Sequence, residues 1–375
     1  MTPSMLPIPD SSLPNRPCAQ IDLDALATNW RKLADLSAHA ETSAVVKANA
    51  YGIGVAQTAT RLWKEGCRTF FVAYDFEAQE LRSILGNDAR IFVFNGPDDP
   101  RTLTAINAIP VLNSMEQASR WQSTGAPAVL HIDTGMNRLG LRPTQVPEFK
   151  ANFADLNVTM VMSHLACADE VDNPMNPQQR DAFVELAASF PGAIRSFANT
   201  GGICLGPDYC FDLTRPGIGL YGGYKHPRFT PEPVVTLTAP LLTIFHPDKD
   251  DPLVARSTIG YGASARINAG QKIGIIAAGY ADGLFRHLSN CGHAAIAGRI
   301  VSMIGRVSMD LIALDLSDVP SDVQVGDRVE IFGPTLNLEE QAETAGTISY
   351  ELLTSIGHRV ERVYQGNMAV KPQDS

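Results

Sequence analysis

The sequence predicts an α/β fold in which an N-terminal (β/α)8 barrel of the TIM type, over residues 17–235, precedes a mainly β C-terminal domain, over residues 236–375. Three observations support this fold class. Short apolar runs alternate with longer segments of helical pattern as far as about residue 220, which is typical of parallel strands joined by crossover helices. Beyond about residue 235 the runs become β-like, with Gly- or Asp-rich turns between them. The chain has 375 residues, 45% of them hydrophobic, which is ample for two cores.

Eight strand-like runs in the first part of the chain predict that the sheet closes into a barrel. An open doubly wound sheet is the alternative, but eight repeats without a break suit closure, and no G-x-G-x-x-G motif follows the first run. The runs cover residues 43–50, 69–75, 90–95, 109–114, 127–133, 158–165, 194–200 and 211–222. Helical segments are predicted at residues 22–36, 55–65, 76–86, 114–123 and 177–190.

The second domain is predicted to be mainly β, with one clear helix. Its β-like runs cover residues 235–246, 256–267, 271–279, 294–315 and 328–332. The helix is predicted over residues 337–356, because Asn337 can cap its first turn and the acids Glu339 and Glu340 suit the positive end of the helix dipole.

The amino end and the overall charge argue against several classes of protein. Residues 1–16 are predicted to form an extended tail, because they are rich in proline and lack the apolar segment of a secretory signal. No run of about 18 apolar residues is present, so no transmembrane helix is predicted. The formal net charge of −10 and the lack of a long Lys/Arg block argue against nucleic acid and anionic membranes as partners.

The cysteines and histidines predict neither disulfides nor a metal site. Six cysteines are spread along the chain without a C-x-x-C pair, which fits isolated reduced thiols in a cytoplasm. The eight histidines include no pair at metal-ligand spacing. We therefore expect a cytoplasmic protein without a bound metal.

Lys47, in the segment AVVKANAYGIG, is the first candidate for catalysis. It ends an apolar strand, where an unpaired ammonium is costly to bury, so its pKa should fall or the lysine should find a partner. A lysine with a lowered pKa is the usual nucleophile for a Schiff base with an aldehyde. Taken alone, the segment also allows a lysine whose side chain reaches into solvent from the end of the strand.

Polar residues follow several other predicted strands, and in a barrel these strand ends meet on the C-terminal rim, where barrel enzymes keep their active sites. They are Tyr51, Asn137, Arg138, His164, Asn199, Thr200 and Arg215. The segment RPGIGLYGG, residues 215–223, offers backbone N–H groups near the last strands, and its glycines let a phosphate approach closely. With the Thr200 hydroxyl beside it, this segment is a candidate phosphate site, although a Gly-rich stretch can equally be a plain turn.

In the second domain, the segments STIGYGASA, AAGYADG and GRVSMDL hold Tyr261, Tyr280, Met309 and Asp310. Their residue types alone favour a strand-and-turn interpretation, because tyrosine is a good β former. A catalytic role for them does not follow from residue type.

Nine segments together resemble the alanine racemase family, from about residue 17 to residue 365. They are, in the family's order, AVVKANAYGIG, DTGMNRLG, SHLA, ANTGG, RPGIGLYG, GYGAS, GYADG, GRVSMD and RVERVY. The resemblance implies pyridoxal 5'-phosphate as cofactor, a small amino acid as substrate, and an N-terminal barrel with a C-terminal β domain. It also implies a head-to-tail homodimer in which each active site combines the barrel of one subunit with the β domain of the other.

The resemblance assigns roles to the positions that match the family's motifs. Lys47 would carry the cofactor and act as the base on one face of the substrate, and Tyr261 of the partner subunit would be the base on the opposite face. Arg215 would face the pyridine nitrogen of the cofactor and Arg138 its phenolic oxygen, with His164 near the ring. The other implied cofactor-binding residues are Asn199 and the phosphate ligands Tyr51, Thr200, Gly217, Ile218 and Tyr364.

For the substrate, the resemblance implies contacts from Arg138 and, across the subunit boundary, from Met309 and Asp310 at the entrance. Two positions depart from the family's pattern. The family often has a lysine, which can be carbamylated, where this chain has His131, so something else must orient Arg138, such as a bound anion. Serine is common at the position of Thr200, which keeps the hydroxyl group.

The implied function is the interconversion of L- and D-alanine by two bases, supplying D-alanine for cell-wall peptidoglycan. A serine or broad-specificity racemase of the same fold is the nearest alternative, because substrate choice depends on pocket shape. A barrel decarboxylase with a β domain is disfavoured by Tyr261 and the GRVSMD segment. A non-catalytic pyridoxal-phosphate-binding protein with a single barrel would not need a C-terminal domain of about 140 residues.

Overall fold

Short strands and helices alternate along the first 220 residues of the structure, as the sequence of apolar runs predicts. The computed structural model describes residues 15–247 and 258–366. Most of the predicted tail at residues 1–16, and the first two residues of the predicted run 256–267, lie outside the described residues. The described residues divide into two compact units: a barrel unit, formed by Leu26–Leu220 and Tyr224–Pro231, and a β unit, formed by residues 15–25, Tyr221–Gly223, 232–247 and 258–366.

Strand β1 (Cys18–Asp22) and helix α1 (Leu23–Leu36) come first in the chain. The predicted barrel begins at residue 17, and here the structure differs, because β1 belongs to the sheet of the β unit. It pairs antiparallel with the strand at Val235–Phe245 and parallel with the strand at Glu361–Gln365. Both edges of β1 are thus satisfied by strands more than 200 residues away, which its short apolar sequence CAQID could not reveal.

A closed ring of parallel strands forms the core of the barrel unit. Its strands are β2 (Glu41–Thr42), β3 (Ala44–Val45), β4 (Thr69–Val72), β5 (Arg90–Val93), β6 (Ile109–Leu112), β7 (Ala128–His131), β8 (Val158–Met162), β9 (Ile194–Asn199) and β10 (Leu213–Arg215). β2 and β3 occupy one strand position, interrupted at Ser43. β2 pairs with β10 and β3 with β4, so the ring closes. The predicted barrel is confirmed, and the open doubly wound sheet is excluded.

The barrel strands are buried, because parallel strands in this fold have the packed interior on one face and helices on the other. All four residues of β4 are buried, and so are all four of β7. Phe71 stacks on Phe92, with ring centroids 4.8 Å apart. The barrel strands are shorter than the apolar runs that predicted them. The clearest cases are β3, which ends before Lys47, and β10, which is followed by a 3-10 turn.

Each predicted barrel helix is present, and several short helices join them. The helices after α1 are α2 (Val55–Glu65), α3 (Asp75–Leu85), α4 (Pro100–Ala105), α5 (Met115–Gln122), α6 (Val146–Asn152), α7 (Met175–Ala187), α8 (Thr200–Leu205), α9 (Leu338–Thr344) and α10 (Ser349–Thr354). The prediction of one continuous helix at 337–356 is wrong, because the backbone turns at Gly346 with φ +69° between α9 and α10. Asn337 caps the first of these, accepting the Glu339 N–H at 2.8 Å.

The β unit is mainly β, as predicted. Its further strands are β11 (Val235–Phe245), β12 (Thr258–Ile259), β13 (Ala265–Arg266), β14 (Ile273–Ile276), β15 (His293–Ile296), β16 (Arg299–Ile304), β17 (Ile312–Asp315), β18 (Arg328–Phe332) and β19 (Glu361–Gln365). The long strand β11 pairs with β1, β18 and β14, and β17, β16 and β15 connect β14 to β18. Among the described helices, none has the length and apolar character needed to cross a bilayer.

Candidate active site

Lys47 lies just beyond strand β3, on a cavity of about 320 Å³ at the carboxyl ends of the barrel strands. Since parallel barrel strands place these ends on one rim, residues far apart in sequence meet here. The cavity is lined by Lys47, Ala73, Phe94, Asn95, Asn113, His131, Arg138, Leu139, Met162 and His164. The structure therefore brings together three predicted site residues, Lys47, Arg138 and His164.

Directly after Lys47 the backbone makes a left-handed turn. Residues 48–51 have φ angles between +53° and +55°, a conformation that costs an L-residue about 1–2 kcal/mol. A neighbouring segment holds this turn: Glu77 Oε1 accepts the Ala48 N–H at 2.6 Å. The turn directs Tyr51 inward, where it is 6% exposed.

The Lys47 ammonium is in surroundings that disfavour its charge. Burial lowers the pKa of Lys47, the positive charge of Arg138 lowers it further, and the Glu77 carboxylate opposes both. The Nζ atom lies 5.7 Å from the centroid of the Phe94 ring. A lysine of this kind offers a neutral, nucleophilic amine at lower pH than a solvated lysine does.

Arg215 is buried beside the cavity and lies next to His164, which lines it. Arg215 donates to Ser196 Oγ at 2.5 Å and to the carbonyl oxygen of Ser163 at 2.6 Å. Its Nη2 lies 3.4 Å from His164 Nδ1. Because a guanidinium can only donate, His164 Nδ1 is the acceptor. Burial and the charge of Arg215 keep the pKa of His164 well below its usual value, so this imidazole is neutral.

The start of helix α8, at Thr200, packs closely against the backbone that follows strand β10, at residues 217–219. We call this region the phosphate cradle. Thr200 Oγ1 accepts the N–H groups of Gly217, at 3.1 Å, and Gly219, at 3.3 Å. A Cβ atom added at Gly217 would overlap the Tyr51 hydroxyl, so glycine is required for this approach. Four predicted phosphate ligands, Tyr51, Thr200, Gly217 and the buried Ile218, therefore belong to the barrel unit and surround one stretch of backbone.

Two other predicted cofactor-binding residues have different surroundings. Asn199 caps helix α8, where its Oδ1 accepts the Gly202 N–H at 2.8 Å. Tyr364 lies on strand β19 of the β unit, and burial raises the pKa of its phenol. The structure thus assigns Asn199 a local structural task and places Tyr364 outside the barrel unit.

Arg138 lies in a braced loop after strand β7. The Asp133 carboxylate accepts the N–H groups of Gly135, at 2.9 Å, and Asn137, at 3.1 Å. Arg142 forms an ion pair with Asp133 and donates to Asn137 Oδ1 at 2.9 Å. The backbone that carries Arg138 is therefore fixed, although its guanidinium makes no hydrogen bond or ion pair among the described residues.

The residues predicted to face a partner subunit are exposed on the β unit. Tyr261, in a 3-10 turn between β12 and β13, is 74% exposed, and Met309 is 52% exposed. Asp310 accepts from Arg359 Nη1 at 2.8 Å. Arg359 also donates to both oxygens of the buried Asp282. Hydrogen bonds through Arg359 therefore hold the exposed Asp310 side chain in place.

Several functional positions were missed by the sequence interpretation. Asn95 and Asn113 line the cavity, Glu77 holds the turn after Lys47, and Ser196 binds Arg215. The two asparagines follow strands, which is a usable signal for barrel active sites. Glu77 lies in the first turn of helix α3, where acids commonly cap backbone N–H groups. Ser196 lies within a strand and carries no such signal.

The site is suited to an anionic organic ligand with a reactive carbonyl group. Lys47 and Arg138 line the cavity, no carboxylate among the described residues does, and Arg215 is buried beside it. Lys47 supplies a nucleophilic amine, and the segment around Gly217 supplies a close approach to backbone. The described residues include no group of three or more His, Cys, Asp or Glu side chains that could hold a metal ion.

Comparisons with known proteins agree with one another. The family models "Alanine racemase, N-terminal domain" and "Alanine racemase, C-terminal domain" match residues 21–225 and 236–364. The alanine racemase of Rhodospirillum rubrum is 44% identical over 363 residues, covering 92% of this chain and 95% of that protein. The crystal structure of alanine racemase from Bartonella henselae with covalently bound pyridoxal phosphate has a TM-score of 0.87 at 37% identity, covering 94% of this chain and 100% of that one. Biosynthetic alanine racemase from Pseudomonas aeruginosa has a TM-score of 0.86 at 32% identity, with the same coverage.

Proposed function

The chain belongs to the alanine racemase family, and from this we propose that it interconverts L- and D-alanine, with pyridoxal 5'-phosphate bound at Lys47. The cofactor is indicated by the relative from Bartonella henselae, which holds it covalently. The observation that carries the proposal is the Lys47 amine, whose pKa is lowered by burial, on a rim cavity that also contains Arg138 and His164. Such an amine is the group that an aldehyde cofactor requires.

The residues of the barrel unit fit this cofactor. Lys47 would bind the aldehyde carbon, and the backbone around Gly217 would receive the phosphate, where a Cβ would fill the space beside Tyr51. Arg215 would face the pyridine nitrogen, and Arg138 the phenolic oxygen. The other residues proposed to surround the cofactor are His164, Asn199, Thr200, Ile218 and Tyr364. When bound, pyridoxal phosphate supplies an electron sink for the charge left at Cα of the amino acid.

Arg215 has a further role in this arrangement. It is completely buried, and its hydrogen-bond acceptors are a hydroxyl, two carbonyl oxygens and the neutral His164. A guanidinium opposite a ring nitrogen keeps that nitrogen from gaining a proton, because the two positive charges would repel. We propose that Arg215 moderates the electron withdrawal of the ring, which favours proton return over side reactions.

Racemisation needs a proton to leave Cα on one face and another to arrive on the opposite face. Lys47 Nζ would exchange a proton on one face. Tyr261 Oη of the partner subunit would do so on the other face. Arg138, with Met309 and Asp310 of the partner subunit, would orient the amino acid at the entrance.

A head-to-tail homodimer in the cytoplasm completes the proposal. Tyr261 is 74% exposed on the β unit, and a second copy of the chain would turn that exposed phenol into an active-site group. The product, D-alanine, would supply cell-wall peptidoglycan. A serine or broad-specificity racemase remains the second candidate, because the same residues would act on any amino acid that the cavity admits.

The reaction is tested with the purified protein reconstituted with pyridoxal phosphate. L-Alanine and D-alanine are incubated separately, with L-serine and L-lysine in parallel, and the products are separated by chiral chromatography. Alanine is expected to racemise in both directions and faster than the others, and borohydride reduction should attach the cofactor to the peptide that contains Lys47. Faster turnover of serine would favour the second candidate, and attachment to another lysine would contradict the site.

Sharing of sites is tested by mixing two inactive variants. Lys47→Ala and Tyr261→Phe homodimers each lack one base in both sites, whereas a mixed dimer has one intact site and one that lacks both residues. Random exchange of subunits at equal amounts should restore about a quarter of wild-type activity. If each subunit used its own Tyr261, mixing would restore none, so the shared-site arrangement would be wrong.

A further inference from the structure

His131 and Asn113 form a hydrogen-bonded pair at the wall of the Lys47 cavity. His131 ends strand β7, and Asn113 follows strand β6 directly. The imidazole Nδ1 lies 2.8 Å from Asn113 Oδ1, and both residues line the cavity. The orientation of the amide determines which imidazole nitrogen carries the hydrogen.

The amide of Asn113 has one orientation that satisfies its neighbours. Its Nδ2 donates to the carbonyl oxygens of Phe94, at 2.9 Å, and Val111, at 3.0 Å. Carbonyl oxygens only accept, so a flipped amide would set oxygen against oxygen on both sides. Oδ1 therefore faces the imidazole, and His131 Nδ1 must carry the hydrogen that it donates.

Charge and burial keep this imidazole neutral. Burial lowers the pKa of His131 to about 4, aided by the positive charges of Arg215 and Arg138 and opposed by Asp133. His164 is also near enough to interact and is itself neutral. At neutral pH, then, His131 Nε2 has a lone pair and no hydrogen, which makes it an acceptor.

The loop that carries Arg138 lies against the His131 ring. Leu141 donates to the carbonyl oxygen of His131 at 2.8 Å, and Asp133 donates to the carbonyl oxygen of Leu141 at 2.9 Å, so the loop folds back on β7. A Cβ atom at Gly140 would come within 3.1 Å of the ring atoms Cγ and Cδ2. The backbone of this loop therefore packs closely against the imidazole ring.

The geometry points to His131 Nε2 as the hydrogen-bond acceptor that aligns the Arg138 guanidinium in the loaded enzyme. This inference rests on the proposed function, in which Arg138 binds the cofactor and the substrate. The two groups complement each other: among the described residues Arg138 has no acceptor, and none of its cavity neighbours is a carboxylate. A neutral acceptor positions the guanidinium without neutralising its positive charge. That charge then remains available to attract an anionic ligand. His131 is thus a positioning residue, and Asn113 sets its tautomer.

Two substitutions separate the roles of the two ring nitrogens. His131→Asn places an amide near the position of Nδ1, so it keeps the bond to Asn113 and loses the acceptor toward the cavity. His131→Gln places its amide near the position of Nε2 and keeps that acceptor. We expect His131→Asn to lower kcat/KM for alanine, and to weaken pyridoxal phosphate binding, about tenfold or more, because the guanidinium loses its alignment. His131→Gln should stay within about threefold of the wild type.

A pH profile gives a readout that a purely structural role would not move. Asn113→Asp sets a carboxylate beside His131 and raises the imidazole pKa by stabilising its charged form. The variant also loses the two hydrogen bonds to the Phe94 and Val111 carbonyl oxygens, so a thermal melt must first show that it is folded. Below the raised pKa, Nε2 carries a proton and cannot accept, so pyridoxal phosphate affinity should fall with decreasing pH. Combining Asn113→Asp with His131→Gln removes the titrating imidazole and should remove this new pH dependence.

Nitrogen-15 NMR of the histidines reports the tautomer without any turnover. We expect His131 to be neutral at pH 7, with hydrogen on Nδ1. Hydrogen on Nε2, or equal losses in His131→Asn and His131→Gln, would overturn the inference. If the wild type bound pyridoxal phosphate and failed to racemise alanine, the proposed function would fail, whereas the binding and NMR results would still decide the role of His131.

Discussion

In the barrel unit Arg215 and the four predicted phosphate ligands of that unit are buried, whereas in the β unit Tyr261 and Met309 are exposed. Arg215 is 2% exposed, and Tyr261 is 74% exposed. Under the proposed function, the barrel residues would act on a bound cofactor, which needs groups that are already fixed and shielded from water. In the proposed homodimer, the exposed groups of the β unit would become buried when the partner subunit covers them. Under this proposal, a bound cofactor would complete the surroundings of the barrel residues, and a second subunit would complete those of the β-unit residues.

This difference is not one between a rigid and a loose region. Asp310 is exposed, yet Arg359 holds it and also binds both oxygens of the buried Asp282. The Ala281 N–H donates to the carbonyl oxygen of Met309 at 3.1 Å, which fixes the segment around it. The β unit thus presents exposed groups on a fixed support, and substitutions in the two units should have distinguishable effects.

Lys47→Ala tests the barrel half most directly and should have the largest effect. Removing the amine removes both the cofactor attachment and one base, so racemisation should fall by about a thousandfold or more. The thermal stability of the apoenzyme should not fall, because a buried ammonium near Arg138 is electrostatically unfavourable. Chiral chromatography, borohydride trapping and thermal melts measure these effects. The exposed Lys225 supplies the control, since Lys225→Ala should retain activity and trapping.

Tyr261→Phe tests the other half and should leave the barrel half intact. The loss of one hydroxyl should slow racemisation by about a hundredfold or more, with cofactor binding and thermal stability unchanged. Lys47 should still exchange the Cα proton of one alanine enantiomer with deuterium from solvent, and NMR would detect this exchange. Exchange lost for both enantiomers would contradict a two-base division, and Tyr350→Phe, on the same unit, is the control.

Gly217→Ala should damage the phosphate cradle. The added Cβ would overlap the Tyr51 hydroxyl, and overpacking of this kind costs about 1–3 kcal/mol, or roughly tenfold to a hundredfold in pyridoxal phosphate affinity. Fluorescence titration of the apoenzyme would measure this affinity. Tyr51→Phe removes the overlapping oxygen together with one phosphate ligand, so Gly217→Ala should weaken binding less in a Tyr51→Phe background than in the wild type. If Gly217→Ala cost the same in both backgrounds, the overlap would not be the cause.

The barrel was predictable because buried parallel strands leave apolar runs in the sequence, and all eight predicted strand positions are present. The ends of the strands were not predictable from hydrophobicity. The run at 43–50 continues past the end of β3 because small residues follow in the turn, of which Ala50 is buried and Ala48 is exposed. That turn is left-handed without a glycine until Gly52, so Asn49 is its sole local signal.

The residues of the site that sequence reasoning missed depend on contacts between separate segments. Glu77 holds a residue 29 positions earlier, and Asn113 holds His131 from the neighbouring strand. The local sequence around Glu77 or Asn113 does not indicate which residue it contacts. The residue type at a ligand-binding position is set by the chemistry of the ligand, so such residues can be predicted from sequence motifs. The residues that support them are set by three-dimensional contacts, so they can be identified only from the structure.

Glu77→Gln tests the support of the barrel half and should have the smallest effect. Glu77 raises the pKa of Lys47, so removing its charge should lower that pKa and enlarge the neutral amine fraction at pH 7. The apoenzyme should then capture pyridoxal phosphate roughly threefold faster at pH 7, and the gain should vanish at high pH, where the amine is neutral in both proteins. Loosening of the left-handed turn would instead slow capture equally at every pH, because glutamine replaces one of the two acceptors that bind Ala48 and Ala73. The pH profile of the capture rate separates these effects, with Glu80→Gln, exposed on the same helix, as the control. A uniform decrease would show that Glu77 acts on the backbone and that its charge contributes little to the reactivity of Lys47.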